Sequence, residues 1–163
     1  MELKRVVVTG LGALTPVGNT VPEFWNNLLN GVSGAGPITH FDASKFKTQF
    51  ACEVKDFDPS GLMDRKEIRK CDRYTLLAIG SSEEAIKDSK LDFENENCDR
   101  IGVIFSAGIG GIKTFEEEVA YYYTHEDMGP KFNPFFIPKM ISDIAAGLIS
   151  IRHGLRGPNF GTV

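Results

Sequence analysis

The 163 residues are 42% hydrophobic and 25% charged, the proportions of an ordinary globular chain long enough to bury a core. A formal net charge of −4 and a pI near 5.4 exclude the overall basicity expected of a nucleic-acid binder. No apolar run reaches the ~18 residues a membrane span needs, and the opening MELKRVVVTG lacks the long apolar core and cleavage site of a signal peptide.

In chain order, Lys4–Thr9 is an apolar, β-branched run that predicts a strand buried on both faces. It continues into VVVTGLGALTPVG, which raises the question of a dinucleotide site. That fingerprint needs G-x-G-x-x-G between a strand and a helix. Gly10 and Gly12 are present, but Thr15 and Pro16 stand where the third glycine belongs, and Pro16 has no N–H to offer a phosphate. A Gly-rich turn after a strand is the favoured reading.

Pro22 opens a short helix whose Phe24, Trp25, Leu28 and Leu29 share a face, and Gly31 ends it. Residues 32–60 read as long loops with a short hairpin around Phe50–Val54. DRKEIRKCDR, at 64–73, is basic and leads into a helix over Asp72–Ser89 with Leu76, Leu77, Ile79 and Ile86 apolar. RIGVIFS, at 100–106, predicts a second buried strand. AGIGG follows, then a helix from Lys113 to His125. A single helix is predicted over Pro138–His153, closed by Gly154, and a third strand from Asn159. Strands alternating with helices predict an α/β fold with a parallel sheet. Cys52, Cys71 and Cys98 have no metal spacing and read as reduced thiols. His40, His125 and His153 are scattered, so no metal site is expected.

Five stretches together carry a resemblance: KRVVVTGLGALTPVGN, ITHFDASKFKTQFACEV, MDRKEIRKCDRYT, SAGIGGIKTFEE and NPFFIPKMISDIAAGLISIRHGLRGPN. In content and order the chain resembles the N-terminal portion of the β-ketoacyl-acyl carrier protein synthases of type II, the elongating ketosynthases of the thiolase superfamily. The resemblance runs over the whole chain but under half of the family's length. It implies a thiolase-like α/β fold in which residues 1–163 form most of the N-terminal half of a five-layer αβαβα architecture, incomplete at its C-terminal end. It makes VVVTGLGALTPVG the first core strand and its turn, with no cofactor.

The resemblance also implies an activity: fatty acyl chains are elongated by decarboxylative Claisen condensation with malonyl-acyl carrier protein. It places the nucleophilic cysteine three residues beyond Val163 and both histidines further on, so no residue of 1–163 is expected to be catalytic. Gly108, Ile109, Phe135 and Phe136 match the acyl pocket, with Ile109 as its gate. Arg65, Lys66, Arg69, Lys70 and Lys131 match the basic edge that meets acyl carrier protein. A homodimer in the cytoplasm is implied, paired through the strand after Gly157, together with the missing C-terminal half. The alternative within the resemblance is a non-catalytic, chain-length-determining partner subunit. A nucleotide-binding module is a third reading, which the missing glycine opposes.

Overall fold

A computed structural model describes residues 4–162. The chain divides into two compact units, Met1–Asp58 with Gly80–Lys90, and Pro59–Ile79 with Leu91–Val163.

In the first unit, Lys4–Leu14 forms no ladder with any described residue, and Val6, Val7 and Val8 are 90%, 60% and 80% exposed. The predicted buried strand is therefore absent. Its β-branched run has no pairing edge among the described residues, and propensity alone does not make a strand. The glycines that follow have another use. A Cβ on Gly12 would stand 1.9 Å from the Ser81 carbonyl oxygen, and one on Gly10 would stand 2.2 Å from that of Ala85. The loop lies directly on a helical backbone.

Two of its N–H groups are also committed. Leu11 N–H donates to Asp88 Oδ2 and Ala13 N–H to Glu84 Oε2, both at 2.9 Å. A phosphate placed here would meet two carboxylates, which answers the nucleotide question more directly than the missing glycine does. Glu84 Oε1 also accepts from Val21 N–H at 2.8 Å. One carboxylate thus ties the loop at Ala13 and the chain at Val21 to one helix. Glu84→Ala is expected to cost about 2 kcal/mol by stranding both donors, measurable as a lower denaturation midpoint with an unchanged slope.

Helix α1 is Val21–Leu29, capped by Thr20, whose side chain accepts from Glu23 N–H, with proline in its first turn. Gly31 follows its end at φ +64°. Val21, Phe24 and Asn27 face inward, while Trp25, Leu28 and Leu29 stay exposed. The expected apolar face is thus only partly covered. Strands β1 (Ala35–Pro37) and β2 (Phe50–Cys52) form an antiparallel pair, so the segment around Phe50–Val54 is not a short hairpin but one strand paired across a long loop. Across from it, Thr39 donates its O–H and N–H to Glu53 at 2.6 and 3.0 Å, holding that carboxyl below its usual pKa. The stabilisation is present at neutral pH and is lost as acid protonates Glu53.

The second unit holds most of the fully buried residues. Helix α2 (Arg65–Ile68) precedes α3 (Arg73–Ser89), whose first turns belong here and whose remainder belongs to the first unit. Strand β3 (Val103–Ile104) leads to helices α4 (Ile112–Thr124), α5 (Phe136–Met140) and α6 (Ile144–His153), then to β4 (Asn159–Phe160). β3 and β4 pair in parallel, Val103 with Asn159 and Ile104 with Phe160. The connection between them is the helical crossover that parallel pairing requires. Gly102 and Gly157 permit the approach, since a Cβ on either would lie within 2.6 Å of the opposing backbone.

α6 packs on both strands. Asn159 fixes the fit by donating Nδ2–H to the Ala146 carbonyl at 2.9 Å and to Ser150 Oγ at 2.5 Å. The core gathers Leu76, Ala78 and Ile79 of α3, Ala145, Ala146 and Ile149 of α6, and Leu155. Ile104 and Phe160 remain exposed, so this sheet is not buried on both faces as expected. The helix foreseen over Pro138–His153 is two helices. The chain turns extended at Ile141, with ψ 136°, and restarts at Ile144. Gly154 ends α6 in the left-handed conformation.

Candidate functional site

A cleft of about 780 Å³ opens in the second unit. One wall is the Gly-rich turn and the start of α4, giving Ile109, Ile112 and Phe115. The other is the α5–α6 link, Met140 to Asp143, and β4 forms an end with Asn159 and Phe160.

Local structure fixes these walls. Gly110, at φ +85°, adopts a conformation that suits glycine. A Cβ there would lie 2.2 Å from the Met140 carbonyl oxygen, and one on Gly111 would lie 2.2 Å from that of Lys139. Gly111 N–H donates to the Met140 carbonyl at 3.0 Å. The turn is therefore clamped against α5. Gly108 has open space around it. Phe115 follows Ile112 by three positions, so helix geometry brings both to the cleft face.

Two groups at the start of α3 bond to these walls. Thr114, nearly buried, donates its O–H to Asp72 Oδ2 at 2.6 Å, and Asp72 Oδ1 accepts from Tyr74 N–H at 3.2 Å. The Tyr74 O–H donates to the Ile141 carbonyl. Burial raises the Tyr74 pKa above its ordinary value. Its hydroxyl stays protonated through neutral pH, and its contribution is lost only as strong alkali removes the proton.

The expected pocket residues do not share one cavity. Ile109 lines the cleft and is 70% exposed at its mouth. Phe136 stacks on Phe115 with ring centres 6.2 Å apart and on Phe132 at 5.8 Å, so it backs the wall. Phe135 lines a separate groove of about 400 Å³ with Met63, Cys71, Ile144, Leu148 and Ile151. Gly108 lines neither.

Arg65, Lys66, Arg69 and Lys70 are all exposed. Asp64 and Glu67 form a reciprocal capping box that starts α2. Their carboxylates are thereby bound to backbone N–H groups. Arg69 caps the C-terminal end of α2, and one helical turn separates it from Arg65. Lys70 lies past the helix and sets its ammonium 5.4 Å from the Phe135 ring centre. It thus joins a basic residue to an aromatic one, a pairing the sequence did not foretell. Lys131 is exposed in the segment between α4 and α5.

The cleft lining contains no cysteine or histidine. Burial pushes the Cys71 thiol above its usual pKa, against the pull of Lys139, and so away from nucleophilic thiolate character. His40 stands 4.0 Å from Glu53, His125 stacks on Tyr121, and His153 lies against Phe93. Among the described residues no cluster of His, Cys, Asp or Glu is arranged to hold a metal ion. No described helix is long and apolar enough to cross a membrane.

Residues 3–163 match the family described as the N-terminal domain of β-ketoacyl synthase. Two 3-oxoacyl-[acyl-carrier-protein] synthase 2 proteins are similar over the entire chain: one from Synechocystis sp. at 48% identity and one from Coxiella burnetii at 46%. The chain spans 39% of the length of each. Among solved structures, the ishigamide ketosynthase/chain length factor superposes with a TM-score of 0.83 at 23% identity, over 96% of this chain and 39% of its own. A type II PKS acyl-carrier protein in complex with its ketosynthase, bound to the hexaketide, superposes with a TM-score of 0.76 at 24% identity, over 98% of this chain and 41% of its own. These likenesses establish the thiolase-like α/β fold. The full-length family match and the near-half identity to its members together place this chain in the β-ketoacyl synthase family.

Proposed function

We propose that residues 1–163 are the N-terminal half-domain of a 3-oxoacyl-[acyl-carrier-protein] synthase. In the complete protein they shape the acyl-binding cleft and receive acyl carrier protein, while the nucleophile and the histidines lie elsewhere. The supporting observation is the apolar-walled cleft that Ile109, Ile112 and Phe115 line, with α2 presenting exposed cations in the same unit. An apolar cleft suits an alkyl chain, and a local basic patch steers an acidic carrier even on an acidic chain.

The test is condensation of acyl- and malonyl-acyl carrier protein by the complete protein. Product with the complete protein and none from residues 1–163 alone supports the reading. Product from residues 1–163 alone overturns the assignment of all catalysis elsewhere. In the complete protein, the paired reversal Lys66→Glu and Arg69→Glu is expected to raise KM for carrier-bound substrate about tenfold with kcat nearly unchanged. A salt titration checks this, because a screened contact weakens the parent and spares the variant.

A homodimer in the cytoplasm goes with this reading, and light scattering of the complete protein tests the dimer. The second reading, a non-catalytic chain-length-setting subunit, is compatible with the likeness to a ketosynthase/chain length factor. Identifying the residue three positions past Val163 separates the two, since a cysteine there supports the enzyme.

A further inference from the structure

Asp72 and Tyr74 stand two positions apart where α3 begins, and each bonds to a different wall of the cleft. Asp72 Oδ2 receives the Thr114 hydroxyl at 2.6 Å on the α4 side. A short O–H···O⁻ contact to a nearly buried hydroxyl is of the stronger class. Tyr74 sends its hydroxyl to the carbonyl of Ile141 on the opposite side. Ile141 is where α5 stops, and its extended backbone frees that carbonyl from helical pairing. The other Asp72 oxygen accepts from Tyr74 N–H, so the two residues are themselves bonded. Together they form one strut joining wall to wall. Only Arg69, Lys70 and Cys71 lie between α2 and Asp72.

We propose that Asp72 and Tyr74 are positioning residues that hold the two walls of the cleft at a fixed separation, and so set which acyl chain lengths the cleft accepts. Neither residue lines the cleft; both act through Thr114 and Ile141. The inference rests on the acyl-binding reading of the cleft. A slot of defined width discriminates between chains by the contacts of successive methylenes, and a slot whose walls drift loses that discrimination.

Three variants test it: Thr114→Val and Tyr74→Phe, which remove one hydroxyl each at nearly constant shape, and Thr114→Ser, which restores the hydroxyl. Two readouts are taken on the complete protein. The first is the ratio of kcat/KM between the best and worst acyl-carrier chain lengths. It is expected to fall about tenfold in Thr114→Val and in Tyr74→Phe, and to return towards the parent value in Thr114→Ser. KM for the carrier protein is expected to stay unchanged, since α2 is untouched. The second is amide hydrogen exchange, expected to rise at Ile112–Phe115 in Thr114→Val and at Ile141–Asp143 in Tyr74→Phe. Faster exchange with an unaltered chain-length ratio overturns the proposal, because the bonds would then be structural only. Unaltered exchange overturns it as well. If the parent condenses no acyl chain while exchange responds as expected, the ketosynthase reading fails and the strut between the walls stands.

Discussion

Ile109→Phe in the complete protein is expected to abolish condensation of long acyl chains, lowering their kcat/KM by about a hundredfold, while short chains remain substrates. The reason lies in what surrounds the residue. Ile109 sits exposed at the cleft mouth, facing Phe115, Met140 and Phe160. Its successors cannot retreat, because Gly110 and Gly111 already touch the carbonyl oxygens of Met140 and Lys139. With the backbone held in place, a larger ring at this position narrows the cleft mouth. Because the position is exposed in this chain, the substitution overpacks no core there and is expected to leave the melting temperature nearly unchanged. Rates measured over a series of acyl-carrier chain lengths are the check. An unchanged profile would show that the acyl chain does not pass Ile109.

Gly12→Ala is expected to be among the most damaging single substitutions available in the first unit. The added methyl would sit 1.9 Å from the Ser81 carbonyl oxygen and 2.7 Å from the Ala85 nitrogen. Both belong to helical backbone, which cannot rotate away as a side chain would. The loop must lift, and with it go the Leu11 and Ala13 N–H bonds to Asp88 and Glu84. A loss of about 3 kcal/mol or more is expected, read as a large fall in denaturation midpoint or in soluble yield. Gly108→Ala is the control. Open space surrounds that glycine and its φ is not positive, so a change within about 0.5 kcal/mol is expected. Equal stability of the two variants would show that the loop does not bear on α3.

Helix existence was legible in the sequence because caps and breakers are local. Gly31 and Gly154 end helices where the sequence placed them, whereas the Thr20 cap and the Asp64 and Glu67 box of α2, equally local, are seen only in the structure. Strands were less legible. Val6, Val7 and Val8 have the composition of a strand, but pairing is a property of two segments, and no described segment pairs with them. The break at Ile141 was hidden for a similar reason. Apolar spacing continues through it, while the turn that interrupts the helix answers to Gly110, Gly111 and Tyr74, all distant in sequence. The resemblance pointed to Ile109, which does line the cleft. It also grouped Phe135 and Phe136, which the fold sends to different surroundings. Phe115 could have been found from its spacing to Ile112. Asp72, Thr114 and Tyr74 carried no such signal, since what distinguishes them is a hydrogen bond across tens of residues.

Those carboxylate bonds of the first unit have a kinetic side. Glu84 meets Ala13 and Val21 across 71 and 63 residues, and Asp88 meets Leu11 across 77. During synthesis the Gly10–Gly12 loop therefore leaves the ribosome long before the helix it rests on exists. Until residues 84 and 88 are made, the Ala13 and Leu11 N–H groups lack their carboxylate partners. Closing so long a loop is entropically slow. Seating the Gly10–Gly12 loop is thus a late, non-local step of folding, because both carboxylates come after it in the chain.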